Sequence, residues 1–119
     1  MKQITLITLI FSLGVSRAGD WTQFRGPYGN GVSSETGLPT TLTEKNLKWK
    51  VELPGRGLSG VLVLGENILI TCSSGVTQNR LHILCLNAKN GSLKWQRQFW
   101  ATGRTMCHNK TSVAAPTPC

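Results

Sequence analysis

Acidic residues are scarce in this chain. Five Asp and Glu residues stand against 13 Lys and Arg residues, a formal net charge of +8, and Asp20 is the one aspartate. Catalytic carboxylate pairs and calcium sites need clustered acids, which this chain does not offer. The basic residues are scattered from Arg25 to Lys110 without a run, so nucleic-acid binding is not indicated. A well-solvated basic domain is the plainer interpretation, and weak association with an anionic envelope surface is the alternative.

Paired cysteine motifs are also missing. The four cysteines form neither a Cys-x-x-Cys motif nor an adjacent pair, so a zinc knuckle or a thioredoxin-type site is not supported. Cys72 and Cys85 lie on two runs that should form a hairpin. Antiparallel pairing would place Cys72 opposite about Leu81 and about 13 Å from Cys85, beyond the roughly 7 Å limit for a disulfide. We therefore expect both to be small buried hydrophobes, and leave open whether Cys107 and Cys119 pair.

The first eighteen residues resemble a signal peptide. Lys2 precedes an apolar run over residues 4–15 that is too short to span a bilayer, and Ser16-Arg17-Ala18 offers small residues for cleavage after Ala18. An uncleaved membrane anchor is the alternative. We expect an exported chain, periplasmic or extracellular, with a net charge of +6 after cleavage (11 basic and 5 acidic residues).

No segment shows a useful helical period, so we predict an all-β protein. Residues 19–45 are rich in Gly, Ser, Thr and Pro and predict an irregular arm in which Trp21 and Phe24 pack against something. Short apolar or alternating runs then follow. They cover residues 47–53, 61–64, 67–72, 81–86 and 93–99.

The last of these runs alternates most regularly. Leu93, Trp95, Arg97 and Phe99 should share one packed face, as in an outer strand. The run over residues 81–86 is continuously apolar and predicts a strand covered on both faces. Asn90-Gly91 predicts a type I′ hairpin turn. The last four runs therefore predict a four-stranded antiparallel meander.

A tripeptide repeats along this strand-rich stretch. Leu47-Lys48-Trp49 returns as Leu93-Lys94-Trp95, with 46 residues between the two tryptophans (95 − 49). A period of about 40–50 residues on strand-like sequence is typical of a β-propeller, where one blade is one repeat.

Two motifs resemble the secreted bacterial proteins with pyrroloquinoline-quinone-like (PQQ-like) β-propeller repeats. One is the segment Cys85-Leu86-Asn87-Ala88-Lys89-Asn90-Gly91-Ser92-Leu93-Lys94-Trp95, which is similar to the end of that family's repeat. The other is the opening Trp21-Thr22-Gln23-Phe24-Arg25-Gly26-Pro27. The resemblance implies that Ala88, Gly91 and Trp95 dock one blade onto the next. It also implies one blade over residues 46–100 and a truncated start of the next blade over residues 101–119.

Two functions follow from the resemblance. The first is a non-catalytic scaffold at the cell envelope that contacts proteins or neighbouring blades, with no bound cofactor. The alternative is part of a quinoprotein dehydrogenase that uses PQQ and calcium. Cys107-His108 is the one sequence pair suited to nucleophilic or metal chemistry, but neighbours on an extended chain point to opposite faces.

Overall fold

The computed structural model describes residues 19–119 as one four-stranded antiparallel sheet. The strands, β1 (Leu62–Leu64), β2 (Asn67–Ser74), β3 (Arg80–Asn87) and β4 (Leu93–Trp100), lie in the order β1-β2-β3-β4. A 3-10 turn at Glu44–Asn46 is the only helical element of the described residues. The all-β prediction and the four-stranded meander are confirmed. The predicted signal peptide lies outside the described residues.

The arm is tied to the β1–β2 hairpin. Trp21 forms an antiparallel bridge with Val63, with N···O distances of 2.8 and 2.9 Å. The Asp20 carboxylate accepts a 2.7 Å hydrogen bond from the N–H of Gly65, which has a φ of 56°. Trp21 is half-buried, and its ring packs against Gly26. Phe24 is 68% exposed, so of the two aromatic rings expected to pack, Trp21 does and Phe24 does not.

The core lies on one face of the sheet. Cys72 of β2 and Leu84 and Leu86 of β3 are buried there, with Ile68 and Ile70 beside them. Val51 and Leu53 cover this face from outside the sheet. Burial raises the pKa of the Cys72 thiol, which keeps it protonated.

The resemblance to PQQ-like repeats implies that Leu47-Lys48-Trp49 is the outermost strand of a blade, and this prediction is wrong. The run over residues 47–53 contains no regular strand, although its burial alternates as its sequence does, with Trp49, Val51 and Leu53 half-buried and the residues between them exposed. The physical reason is its position. It packs its apolar side chains onto the face of the sheet, and no strand of residues 19–119 pairs with its backbone.

The predicted type I′ turn at Asn90-Gly91 is also wrong. Such a turn needs positive φ at both central residues, but of these two only Gly91 has one, at 72°. The connection is a five-residue loop over residues 88–92. It is closed by a 2.8 Å bond from the Gly91 N–H to the Asn87 carbonyl, and the Asn87 and Asn90 side chains accept N–H bonds within the loop.

The face of β4 that the sequence predicts to be packed is not covered by other residues of the described range 19–119, since all eight residues of the strand are exposed. The alternation is also interrupted. Cys85 pairs with Trp95 but Leu86 pairs with Leu93, so Lys94 is the extra residue of a β-bulge. The bulge separates Leu93 from the face that carries Trp95. Of the predicted doubly covered strand, Leu84, Cys85 and Leu86 are buried, whereas Leu81 and Ile83 are partly exposed.

The segment after β4 returns along β2. It contains no strand, and Ser112 and Ala114 are buried in it. The Thr71 hydroxyl donates to the carbonyls of Ala114 and Pro116 at 3.0 and 3.2 Å, and Thr117 Oγ1 accepts from the Gly60 N–H at 3.0 Å. These contacts hold residues 111–117 against β2 and against the segment that precedes β1.

All four cysteines are free thiols in the structure. Cys72 and Cys85 are 0% and 2% exposed, as expected of small buried hydrophobes. Cys72 lies opposite His82, one residue from the predicted position, which still leaves Cys85 three residues further along β3.

Candidate interaction surface

The Ala88–Gly91 loop receives the indole ring of Trp49. Its Nε1–H donates a 3.0 Å hydrogen bond to the Ala88 carbonyl. The ring lies so close to Gly91 that a β-carbon added there would stand 2.6 Å from a Trp49 carbon. Glycine is therefore required at this position for two reasons: the backbone has a positive φ, and a side chain would clash with the Trp49 ring. We call this contact the Trp49 dock.

The Trp49 dock joins the two copies of the repeated tripeptide. Trp49 belongs to the first copy, and the loop it contacts immediately precedes the second copy, which ends in Trp95. Ala88 and Gly91, two of the three predicted docking residues, thus come together with a tryptophan. The sequence reasoning singled out Trp95 for this role and missed Trp49 as the occupant, although the repeat itself was the signal.

Trp95 lies on an exposed face. Residues directly opposite in an antiparallel pair share a face, and Trp95, Arg97 and Phe99 lie opposite Cys85, Ile83 and Leu81 of β3. Trp95 and Phe99 are 44% and 53% exposed. We call the three β4 residues Trp95, Arg97 and Phe99 the Trp95 surface. It is a pair of aromatic rings flanking one cation, a composition typical of protein contact sites.

The opposite face of the sheet buries a histidine. His82 is 4% exposed, with its ring nitrogens 2.7 Å from Ser74 Oγ and 3.0 Å from Gln96 Nε2. Because the amide nitrogen only donates, Nδ1 accepts from Gln96 and Nε2–H donates to Ser74. Burial, and secondarily the charge of Arg80, lower the pKa of His82. The ring is a neutral structural link between β2, β3 and β4.

Cys107 and His108 differ in burial and in the groups that surround them. Cys107 is half-buried and lines a cleft with Arg56 and Arg104. His108 is exposed, and its Nδ1 accepts from the Lys110 N–H at 3.1 Å. Within residues 19–119, no three His, Cys, Asp or Glu side chains lie close enough together to hold a metal ion. The same residues contain no helix of the length and apolarity needed to cross a membrane.

Comparison with known proteins found no matching family model, no matching curated protein and no matching solved structure. The contacts within the chain are therefore the basis on which its function has to be inferred.

Proposed function

We propose that this chain is an exported portion of a PQQ-like β-propeller that acts as a non-catalytic protein-interaction scaffold at the cell envelope. The observation that carries the proposal is the Trp49 dock. The tryptophan of the first Leu-Lys-Trp copy packs on the Ala-x-x-Gly loop that leads into the second copy, whose tryptophan lies 46 residues after the first. Repeats that stack by contacts between neighbours are the basis of propeller and solenoid architecture.

The Trp95 surface supports the same proposal. If Trp49 docks on its neighbour, Trp95 occupies the corresponding position for a following unit, and it is the exposed member of the pair. Trp95 and Phe99 would lose water on docking, and burying an aromatic side chain stabilises by about 1.5–3 kcal/mol. The occupant of this surface in the proposal is a neighbouring blade or a protein that presents a comparable apolar loop.

The open sheet gives a second reason to expect a partner. β4 is an edge strand whose eight residues are all exposed, and an unprotected edge pairs readily with another chain. Natural edges are often protected by charge, and β4 carries Lys94 and Arg97 but no acidic residue. These cations disfavour pairing of β4 with a second β4, and they favour a partner segment that carries carboxylates.

A crosslinking experiment in producing cells tests the scaffold role. A photoreactive phenylalanine analogue replaces Phe99 in one variant and Leu42 in the control, because Leu42 is exposed on the N-terminal arm and lies outside the Trp95 surface. We expect a discrete adduct from position 99 that Trp95→Lys abolishes. Equal adduct patterns from positions 99 and 42 would contradict the proposal.

Export is tested on the same cells. We expect the chain to be recovered outside the cytoplasm with Gly19 as its first residue. A cytoplasmic chain that retains Met1 would contradict the exported assignment, whatever the crosslinking shows.

A further inference from the structure

A cleft of about 430 Å³ opens beside the loop that follows β2. Its walls come from that loop, from the segment before β1 and from the segment after β4. The volume falls in the range of small-molecule sites, which is about 300–1,000 Å³. The polar and charged side chains that line it include Arg56, Arg104, Thr77, Thr105, Asn109 and Cys107.

The charged side chains that line this cleft are all positive. Arg56 and Arg104 both line it, and no Asp or Glu does. Among residues 19–119, neither guanidinium has a salt-bridge partner. Each guanidinium presents a planar set of five N–H donors that fits the oxygen atoms of a phosphate or carboxylate. Two such groups without a counter-charge favour a ligand that carries more than one negative charge.

Arg56 is held in position before any ligand arrives. Its backbone exchanges two hydrogen bonds with Ser73, at 2.8 and 3.0 Å, and its carbonyl accepts from the buried Ser112 hydroxyl at 2.9 Å. One guanidinium nitrogen, Nη1, donates to the Thr111 carbonyl at 2.8 Å. A single bond leaves the other donors of this group able to bind an anion, and a fixed side chain loses less entropy on binding.

Arg104 reaches the cleft from the segment that follows β4. It follows a glycine, as Arg56 does, in the pairs Gly55-Arg56 and Gly103-Arg104, which are 48 residues apart (104 − 56). Two segments that are distant in the sequence thus each place one arginine at the cleft.

We propose that the cleft between Arg56 and Arg104 binds a small ligand through a phosphate group. A phosphate carries up to two negative charges, and its oxygens accept bidentate hydrogen bonds from guanidinium groups such as the two that line the cleft. The threonine hydroxyls and the Asn109 amide in the lining supply further donors. A free phosphate ester and a phospholipid headgroup both present phosphate oxygens, with up to two negative charges on a monoester and one on a diester. The site is independent of the scaffold role, because all of its residues lie outside the Trp95 surface.

Titration of the full chain with pyrophosphate tests the site, with calorimetry as the readout. We expect one saturable site that weakens as sodium chloride is raised, because salt screens exposed charges. Arg104→Gln should weaken binding at least about tenfold, since it removes one of the two charge-assisted partners. Lys50→Gln is the matched control: it removes the same charge from an exposed position outside the cleft and should bind as the unaltered chain does.

Arg104→Lys tests whether the geometry of the contact matters, because lysine keeps the positive charge but lacks the planar guanidinium group. We expect intermediate affinity for this variant and an unchanged circular dichroism spectrum for all three. The source of the phosphate is distinguished with vesicles of phosphatidylglycerol and of phosphatidylcholine. Arg104-dependent binding to phosphatidylglycerol vesicles assigns the site to a headgroup, and binding of pyrophosphate alone assigns it to a soluble ligand. Equal affinities of the Arg104→Gln and Lys50→Gln variants, or no saturable binding, would overturn the proposal.

Discussion

Replacing Gly91 with alanine should destabilise the sheet through the Trp49 dock. The substitution adds one methyl group at a backbone φ of 72° and brings it within 2.6 Å of the Trp49 ring. The left-handed backbone costs about 1–2 kcal/mol for a residue with a β-carbon. Displacing the ring adds about 1–3 kcal/mol of overpacking, and loss of the bond to the Ala88 carbonyl adds about 1 kcal/mol. We therefore expect a total of about 3–6 kcal/mol.

Gly65→Ala is the matched control for this prediction. Gly65 also has a positive φ, at 56°, but a β-carbon there would meet no atom within 4 Å. It should cost only the backbone term of about 1–2 kcal/mol. The two variants and the unaltered chain are compared by urea unfolding in a stabilising osmolyte, followed by circular dichroism and tryptophan fluorescence. Equal losses for Gly91→Ala and Gly65→Ala would refute the dock as a stabilising contact.

Two further predictions concern buried polar groups. Because the folded-state pKa of His82 is lowered, the unfolded chain binds more protons below about pH 6.5. The free energy of unfolding should therefore fall as the pH drops from 7.5 to 5.5. His82→Gln should flatten this dependence, whereas the exposed His108→Gln should leave it unchanged; the reverse pattern would contradict the assignment. Ser112→Ala removes the acceptor of the buried Ala114 N–H and should cost about 1–3 kcal/mol in the same urea assay, whereas the Arg56 carbonyl and the Ser73 hydroxyl keep their bonds to the Ser73 N–H and to Gln78. The exposed Ser34→Ala should shift stability by less than about 0.5 kcal/mol, and equal effects of the two serine variants would contradict the role of Ser112.

The strands were predictable because their signal is local. Short apolar runs separated by Gly-rich turns are enough to place four antiparallel strands, and each observed boundary lies within two residues of the predicted one. The repeat of Leu-Lys-Trp likewise singled out two distant segments, and the structure places the tryptophan of the first copy on the loop that precedes the second. Neither signal depends on which parts of the chain meet in space.

The errors arose where tertiary contacts decide the local structure. The loop over residues 88–92 does not form a two-residue turn, and its Gly91 lies under the ring of Trp49, 42 residues earlier in the chain (91 − 49). The bulge at Lys94 cannot be read from an alternating pattern, because the pattern on β4 continues through it. Residues 47–53 alternate as a strand does, yet their burial comes from packing on a sheet face.

The cleft between Arg56 and Arg104 could hardly be predicted from the sequence. Arg56 and Arg104 are far apart in the chain and lie in segments without regular structure. They meet because Ser112 and Thr111 tie the last segment to the backbone and guanidinium of Arg56. Small polar residues without periodicity form these contacts, and periodicity is the signal on which sequence interpretation depends.

The central claim is that the sheet is one repeat of a stacked array, with Trp95 poised to dock as Trp49 does. A spliced chain in which residues 1–100 are followed by residues 55–119 tests it, since β4 stays whole and Trp95 then stands 42 residues before a second copy of Gly91, as Trp49 stands before the first. The decisive measurement is urea unfolding of the spliced and unaltered chains, monitored by circular dichroism and by quenching of tryptophan fluorescence. We predict one transition at higher urea, a less accessible Trp95, and loss of both effects when the second copy of Gly91 is replaced by alanine. Unchanged accessibility of Trp95, with the added copy unfolding separately, would contradict the claim.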